Sequence, residues 1–153
     1  MRVYLPLLPS ELLDDDPRPR SGFTVVAPAD CDREGVEVLE DDAQTEAALL
    51  ALALMREEED EEPLRMVVAQ DVDAPQPKGE GVVEVGDFAI VWDAVAAILS
   101  DDPEAAPAVR RVLDAEDQDE ADAAVADLWE FSLGWYDVSE RESMARLILR
   151  SPS

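Results

Sequence analysis

Apolar residues in this chain fall into short alternating or continuous runs, separated by polar and proline-rich segments. Across Met1–Leu8, Val3, Leu5 and Leu7 alternate with Tyr4. This is the period of a half-buried strand, with Pro6 marking an edge position or an early end. Ser10 caps a short helical turn through Leu13, and Asp14–Ser21, with Pro17 and Pro19, reads as a loop. Phe23–Ala27 predicts a second strand, followed by a polar connection over Pro28–Glu40. Helical character begins near Asp41, where Gln44 three residues on gives a capping-box-like start, and runs to about Glu58. The centre of that helix, Leu49–Met55, is apolar nearly all round and belongs in a core against a sheet.

Leu64–Gln70 reads as one continuous strand, apolar without a break from Met66 to Ala69 and bounded by proline, the pattern of a central strand covered on both faces. Gly79–Gly81 turns the chain into Val82–Val85, the expected hairpin partner of that strand. A helical turn at Trp92–Ala94 leads into a strand ending near Leu99. Asp102-Pro103-Glu104 is a strong helix start, and Arg110 and Arg111 suit its last turn. A further helix is expected over Asp117–Phe131, stopped by Gly134, and then an extended segment at Trp135–Val138. Ser139 with Glu142 opens a terminal helix bearing Met144, Leu147 and Ile148. Together these elements predict one α+β domain over residues 1–150, with a disordered tail at 151–153. Its architecture is expected to be a mixed sheet of about four to six strands packed by three to four helices.

Composition changes the picture in two ways. The 153 residues include 38 Asp and Glu against 12 Lys and Arg, no histidine, and a formal net charge of −26. Such charge favours disorder only when hydrophobicity is low, and here 47% of residues are hydrophobic. A folded domain under electrostatic self-repulsion is therefore expected. Direct binding to nucleic acid is disfavoured, because a phosphate backbone is held by Lys and Arg. Anionic membranes are disfavoured for the same reason, and no apolar run reaches the roughly 20 residues a spanning helix needs. The N-terminus lacks a secretory signal pattern and Cys31 has no second cysteine to pair with, so the expected location is the cytoplasm. Lys78 is the only lysine. A GC-rich genome or a salt-adapted proteome would give the same acidic, arginine-biased surface without any selected interaction.

The absent imidazole removes Ser-His-Asp and Cys-His catalysis, and a lone cysteine makes no zinc site of the usual kind. No phosphate-cradling glycine loop is present. Carboxylates remain. Asp71 and Asp73 follow the central strand and Asp101 follows the next one. If those strands are parallel neighbours, these three residues could converge on Mg²⁺ or Ca²⁺. Otherwise Asp71 and Asp73 are loop acids and neighbouring Asp102 caps a helix. Asp114–Asp122 lacks the glycine and bidentate Glu of an EF-hand. Paired carboxylates for glycoside hydrolysis would also need an aromatic-lined groove, and aromatics make up only 5% of the chain. The run Glu57, Glu58, Glu59, Asp60, Glu61, Glu62 opposes the helix macrodipole by about 0.3–1 kcal/mol per anion, so that end is expected to fray. With Asp117 and Asp119 it forms the expected acidic binding surface. Trp129, Phe131, Trp135 and Tyr136 are the one aromatic concentration. The tryptophans are expected to pack the C-terminal helix onto the sheet; alternatively, Trp129, Trp135 and Tyr136 form an exposed anchor for a partner.

Four stretches together resemble a family of small, uncharacterised, acidic actinobacterial proteins. They are Met1-Arg2-Val3-Tyr4-Leu5-Pro6, Arg65-Met66-Val67-Val68-Ala69-Gln70-Asp71-Val72, Val95-Ala96-Ala97-Ile98-Leu99-Ser100-Asp101-Asp102 and Trp135-Tyr136-Asp137-Val138-Ser139-Glu140. The resemblance implies an α+β domain, a cytoplasmic setting and no known activity. The third stretch often ends more polar in that family, sometimes with a histidine, which this chain lacks. The leading expectation is a non-enzymatic binding or regulatory module that meets a basic protein surface, a nucleic-acid mimic being one version, with no cofactor. The alternative is a divalent-metal-dependent hydrolase or phosphoryl-transfer enzyme using Asp71, Asp73 and Asp101 with Mg²⁺ or Ca²⁺. The oligomeric state is left open.

Overall fold

The structure, a computed structural model, describes residues 1–58 and 61–149. Glu59, Asp60 and the tail at 151–153 therefore lie outside the described residues. Six strands form one sheet: β1 (Arg2–Leu7), β2 (Arg20–Val26), β3 (Met66–Asp71), β4 (Gly81–Phe88), β5 (Val95–Ser100) and β6 (Gly134–Tyr136). Four helices accompany them: α1 (Arg33–Glu57), α2 (Ala106–Leu113), α3 (Gln118–Leu128) and α4 (Arg141–Ile148). The class is α+β.

The strand order is β4-β2-β1-β3-β5-β6. Every neighbouring pair is antiparallel, so the expected mixed sheet is corrected. The connectivity supplies the reason. β2 and β3 both run opposite to β1 and flank it, so the crossover through α1 joins two strands that are parallel but not adjacent. β1 and β5 occupy both sides of β3, leaving Val82–Val85 no place beside it. β4 instead pairs with β2 at the sheet edge, which corrects the expected hairpin. Pro6 sits in a central strand, and the ladder from β1 to β2 stops at Tyr4↔Phe23, short of the proline.

Alternation along β1 splits the core. Val3, Leu5 and Leu7 face a cluster with Leu12, Val68, Ile98 and Met144, under α4 and the turn Pro9–Leu13. Tyr4 faces the other side with Val67, Ala69 and Leu99, under Ala43, Ala47 and Ala48 of α1. Small residues on that helix face let the backbone come close to the sheet. The C-terminal half of α1 continues past the sheet and packs Leu52 and Met55 against Val109 and Val112 of α2 and Leu128 of α3.

α1 starts earlier than its apolar period predicts. Asp32 is its cap, with the Asp32 carboxylate accepting from the Gly35 N–H at 2.8 Å, and Asp41 and Gln44 lie inside the helix. None of residues 33–40 is fully buried, and only Gly35, Val36, Leu39 and Glu40 are half-buried, so capping and helix propensity hold that first stretch with little help from the core. α3 stops at Leu128 and not at Phe131, under an Asp117 cap that accepts from the Glu120 N–H. The expected Ser139–Glu142 box is replaced by a reciprocal pair from Asp137 and Glu140, which turns the chain into α4.

Candidate binding site

The site is built outward from one buried ion pair. β3 and β5 are antiparallel neighbours, with Met66 opposite Ser100. The residue before β3 therefore meets the residue after β5. Arg65 donates from Nε and Nη2 to the two carboxylate oxygens of Asp101 at 2.8 and 2.7 Å. The Arg65 backbone N–H also donates to that carboxylate at 2.8 Å, and the Asp101 N–H donates to the Arg65 carbonyl at 3.0 Å. Arg65 Nη2 donates further to the Phe131 carbonyl at 3.1 Å. One guanidinium thus ties the start of β3, the end of β5 and the connection from α3 to β6.

That connection carries the tryptophans. Trp129 is the C-cap that follows α3, and Trp135 lies on β6 opposite Leu99, on the α1 side of the sheet. Both are well exposed, at 62% and 55%, so the expected packing of the C-terminal helix by these two rings is corrected. α3 is short and turns only Ala124 and Leu128 fully inward, leaving Trp129 at its rim. Trp129 and Trp135 line one pocket of about 190 Å³, with Asp41, Gln44 and Thr45 of α1 opposite and Arg65 in its wall. Trp129 also borders a second concavity beside Asp42 and Glu46. Asp41, Asp42 and Glu46 are exposed, and among the described residues their carboxylates have no hydrogen-bond or ion-pair partner. Asp42 and Glu46 stand one helical turn apart, a like-charge spacing that costs about 0.2–0.5 kcal/mol. The Arg65 charge in the pocket wall is already matched by Asp101, so unpaired charge around the rings is negative.

Tyr136 does not join this patch. Successive strand residues point to opposite faces, and Tyr136 packs with the Val3–Ile98 cluster. The expected acidic surface is also dispersed. Glu57 and Glu58 are exposed at the C-terminal end of α1, about 24 Å along the helix from Asp41. Glu61 is engaged by Ser10, whose N–H and hydroxyl donate to its carboxylate at 3.0 and 2.6 Å, and Glu62 is half-buried. Asp117 caps α3 and Asp119 is exposed in its first turn, at the far end of that helix from Trp129.

The three candidate metal ligands do not converge. Asp71 ends β3, whereas Asp101 adjoins its start, so antiparallel pairing puts them at opposite ends of the sheet. Asp71 accepts from Arg2 Nε and Nη2 at 3.1 and 3.2 Å, and the guanidinium holds its carboxyl below the usual carboxylate range. Asp73 lies in the exposed segment beyond it. Among the described residues no group of three His, Cys, Asp or Glu is placed to hold a metal ion.

A further concavity, of about 450 Å³, lies on the other flank of α1 and is lined by Arg2, Tyr4, Thr24, Glu40 and Asp71. Its polar groups satisfy one another: Arg2 with Asp71, the Tyr4 hydroxyl with Glu40 at 3.4 Å, and the Thr24 hydroxyl with the Arg2 carbonyl at 2.6 Å. Burial raises the Tyr4 phenol, against a lowering by Gln44.

Sequence reasoning missed the bonds that join Arg65 to Asp101 and to the Phe131 carbonyl. The available signal was that an arginine before one strand and an aspartate after its antiparallel neighbour must meet. The chain belongs to a family of unknown function (DUF6912), whose sequence profile matches residues 1–145. No curated protein and no solved structure matches it. Among the described residues no helix is long and apolar enough to cross a membrane.

Proposed function

We propose that this member of a family of unknown function is a non-enzymatic, cytoplasmic binding module for a basic protein surface. The observation that carries this reading is the sharing of one acid-flanked pocket by two exposed tryptophans, Trp129 and Trp135, on a chain of net charge −26. Exposed Trp supplies anchoring area at interfaces. The wider acidic surface, including Glu57, Glu58, Glu61, Glu62, Asp117 and Asp119, speeds encounter with a cationic partner and repels nucleic acid. Energy and specificity then reside at the tryptophan face, with steering spread over the rest.

Charge-matched neutralisation separates a local site from bulk attraction. One variant carries Asp41→Asn, Asp42→Asn and Glu46→Gln. The other carries Asp87→Asn, Asp93→Asn and Glu142→Gln, exposed acids placed away from the pocket. Binding of a short labelled peptide of alternating arginine and glycine is followed by fluorescence anisotropy at near-physiological salt. The first variant is expected to bind about tenfold more weakly than the second. Equal weakening of both would mean that net charge alone attracts the peptide, and no binding by the unaltered protein would refute the reading.

A further inference from the structure

Resting on that reading, we infer that the pocket between Trp129 and Trp135 receives an arginine side chain of the partner, its guanidinium stacked on an indole and held by α1 carboxylates. The fold contains the same constellation closed by its own chain. The Arg141 guanidinium lies 4.4 Å from the centre of the Trp92 ring, with Asp15 at 3.9 Å from the same guanidinium. A tryptophan, an arginine and a carboxylate are thus brought together within one surface depression lined by Asp15, Trp92 and Arg141. Among the described residues, Trp92 is the one tryptophan with a cation over its ring. Among the described residues no cation lies over the Trp129 or Trp135 ring, and Arg65, which lines their pocket, is paired with Asp101.

The chemistry of the occupant follows from the groups around the two rings. Asp41 lines the pocket with both indoles, and Asp42 and Glu46 border the other side of Trp129. Arg65 in the wall is held by Asp101 and the Phe131 carbonyl, so it fixes the position of the loop without supplying free positive charge. An aromatic face flanked by unpaired carboxylates attracts a cation through the ring quadrupole and by direct ion pairing. A planar guanidinium satisfies both at once, because its face stacks while its edge donates to Asp41. An acidic or phosphorylated side chain would meet only like charge there. The pocket, at about 190 Å³, accommodates a side chain and not a folded element.

The test uses single side chains, which carry no polycationic attraction. The unaltered protein is titrated with N-acetyl-arginine methylamide and, separately, with N-acetyl-norleucine methylamide, while the three indole N–H resonances are followed by NMR. Trp129→Phe and Trp135→Phe variants assign the signals. The Trp129 and Trp135 signals are expected to shift saturably with the arginine compound and at least about tenfold less with the norleucine compound. The Trp92 signal should stay in place, since its indole N–H donates to the Asp14 carbonyl at 2.7 Å and its ring is occupied. An equal response to norleucine would mean an apolar pocket and overturn the inference. So would the absence of any shift. If the arginine–glycine peptide still binds while these signals do not respond, the side-chain assignment fails and the broader binding reading stands. If the peptide does not bind either, both fail.

Discussion

The Arg65 guanidinium grips the Asp101 carboxylate through two hydrogen bonds of 2.7 and 2.8 Å, while the Arg65 backbone N–H donates to the same carboxylate and the Asp101 N–H to the Arg65 carbonyl. Only 11% of the Arg65 side chain and none of the Asp101 side chain is exposed. Truncating one member of such a pair leaves an uncompensated buried charge, at a cost of about 3–5 kcal/mol. Asp101→Ala is therefore expected to lower the urea-unfolding free energy by about that amount. It should also release the Phe131 end of the loop and redden Trp129 and Trp135 emission before global unfolding. A loss below about 1 kcal/mol would show that Arg65 finds another acceptor and that the pair does not set the loop.

Tyr4 gives a pH dependence of known sign. Burial raises its phenol above the ordinary value of 10.0, so the folded protein holds that proton more tightly than the unfolded chain does. The stabilising contribution is present below about pH 10 and is lost as pH rises through that value and beyond. Stability measured by urea unfolding should fall more steeply between pH 9 and pH 11 in the unaltered protein than in Tyr4→Phe. Identical slopes would mean that Tyr4 ionises as freely in the fold as outside it.

Divalent cations should act only through ionic strength. Asp71 and Asp101 lie at opposite ends of β3, and each already has an arginine partner. A melting temperature in millimolar Mg²⁺ or Ca²⁺ is expected to match that in sodium chloride of equal ionic strength. Both salts should raise it relative to low salt, because screening relieves self-repulsion among 38 acids. A further rise specific to the divalent ion and lost in Asp71→Asn, Asp73→Asn would restore the metal site as a reading.

How much was legible in the sequence follows from which residues carry a period. The alternation of Val3, Leu5 and Leu7 and the unbroken Met66–Ala69 run locate β1 and β3, and the helical turn at Trp92–Ala94 before β5 is as the sequence predicts. Strand partners were not legible, because Val82–Val85 looks the same whether it pairs with β3 or, as here, with β2. That gap propagated to the chemistry. Reading Asp71 and Asp101 as neighbours required parallel strands, whereas the antiparallel arrangement makes Asp101 the partner of Arg65. The start of α1 was hidden because Arg33–Glu40 has only Val36 and Leu39 as half-buried apolar residues, too few to stand out as a stripe. The aromatic cluster was visible as composition, but separating Trp135 from Tyr136 needs the strand that turns them to opposite faces.

The most direct measurement of the central claim leaves every charge in place. A Trp129→Ala, Trp135→Ala variant keeps the net charge of −26 and removes two exposed rings. Its affinity for the arginine–glycine peptide at near-physiological salt is expected to be at least about tenfold weaker than that of the unaltered protein, with an unchanged melting temperature. Unchanged affinity in a variant that folds normally would contradict the account, since attraction would then come from the acids alone and the tryptophan pocket would have no part in it.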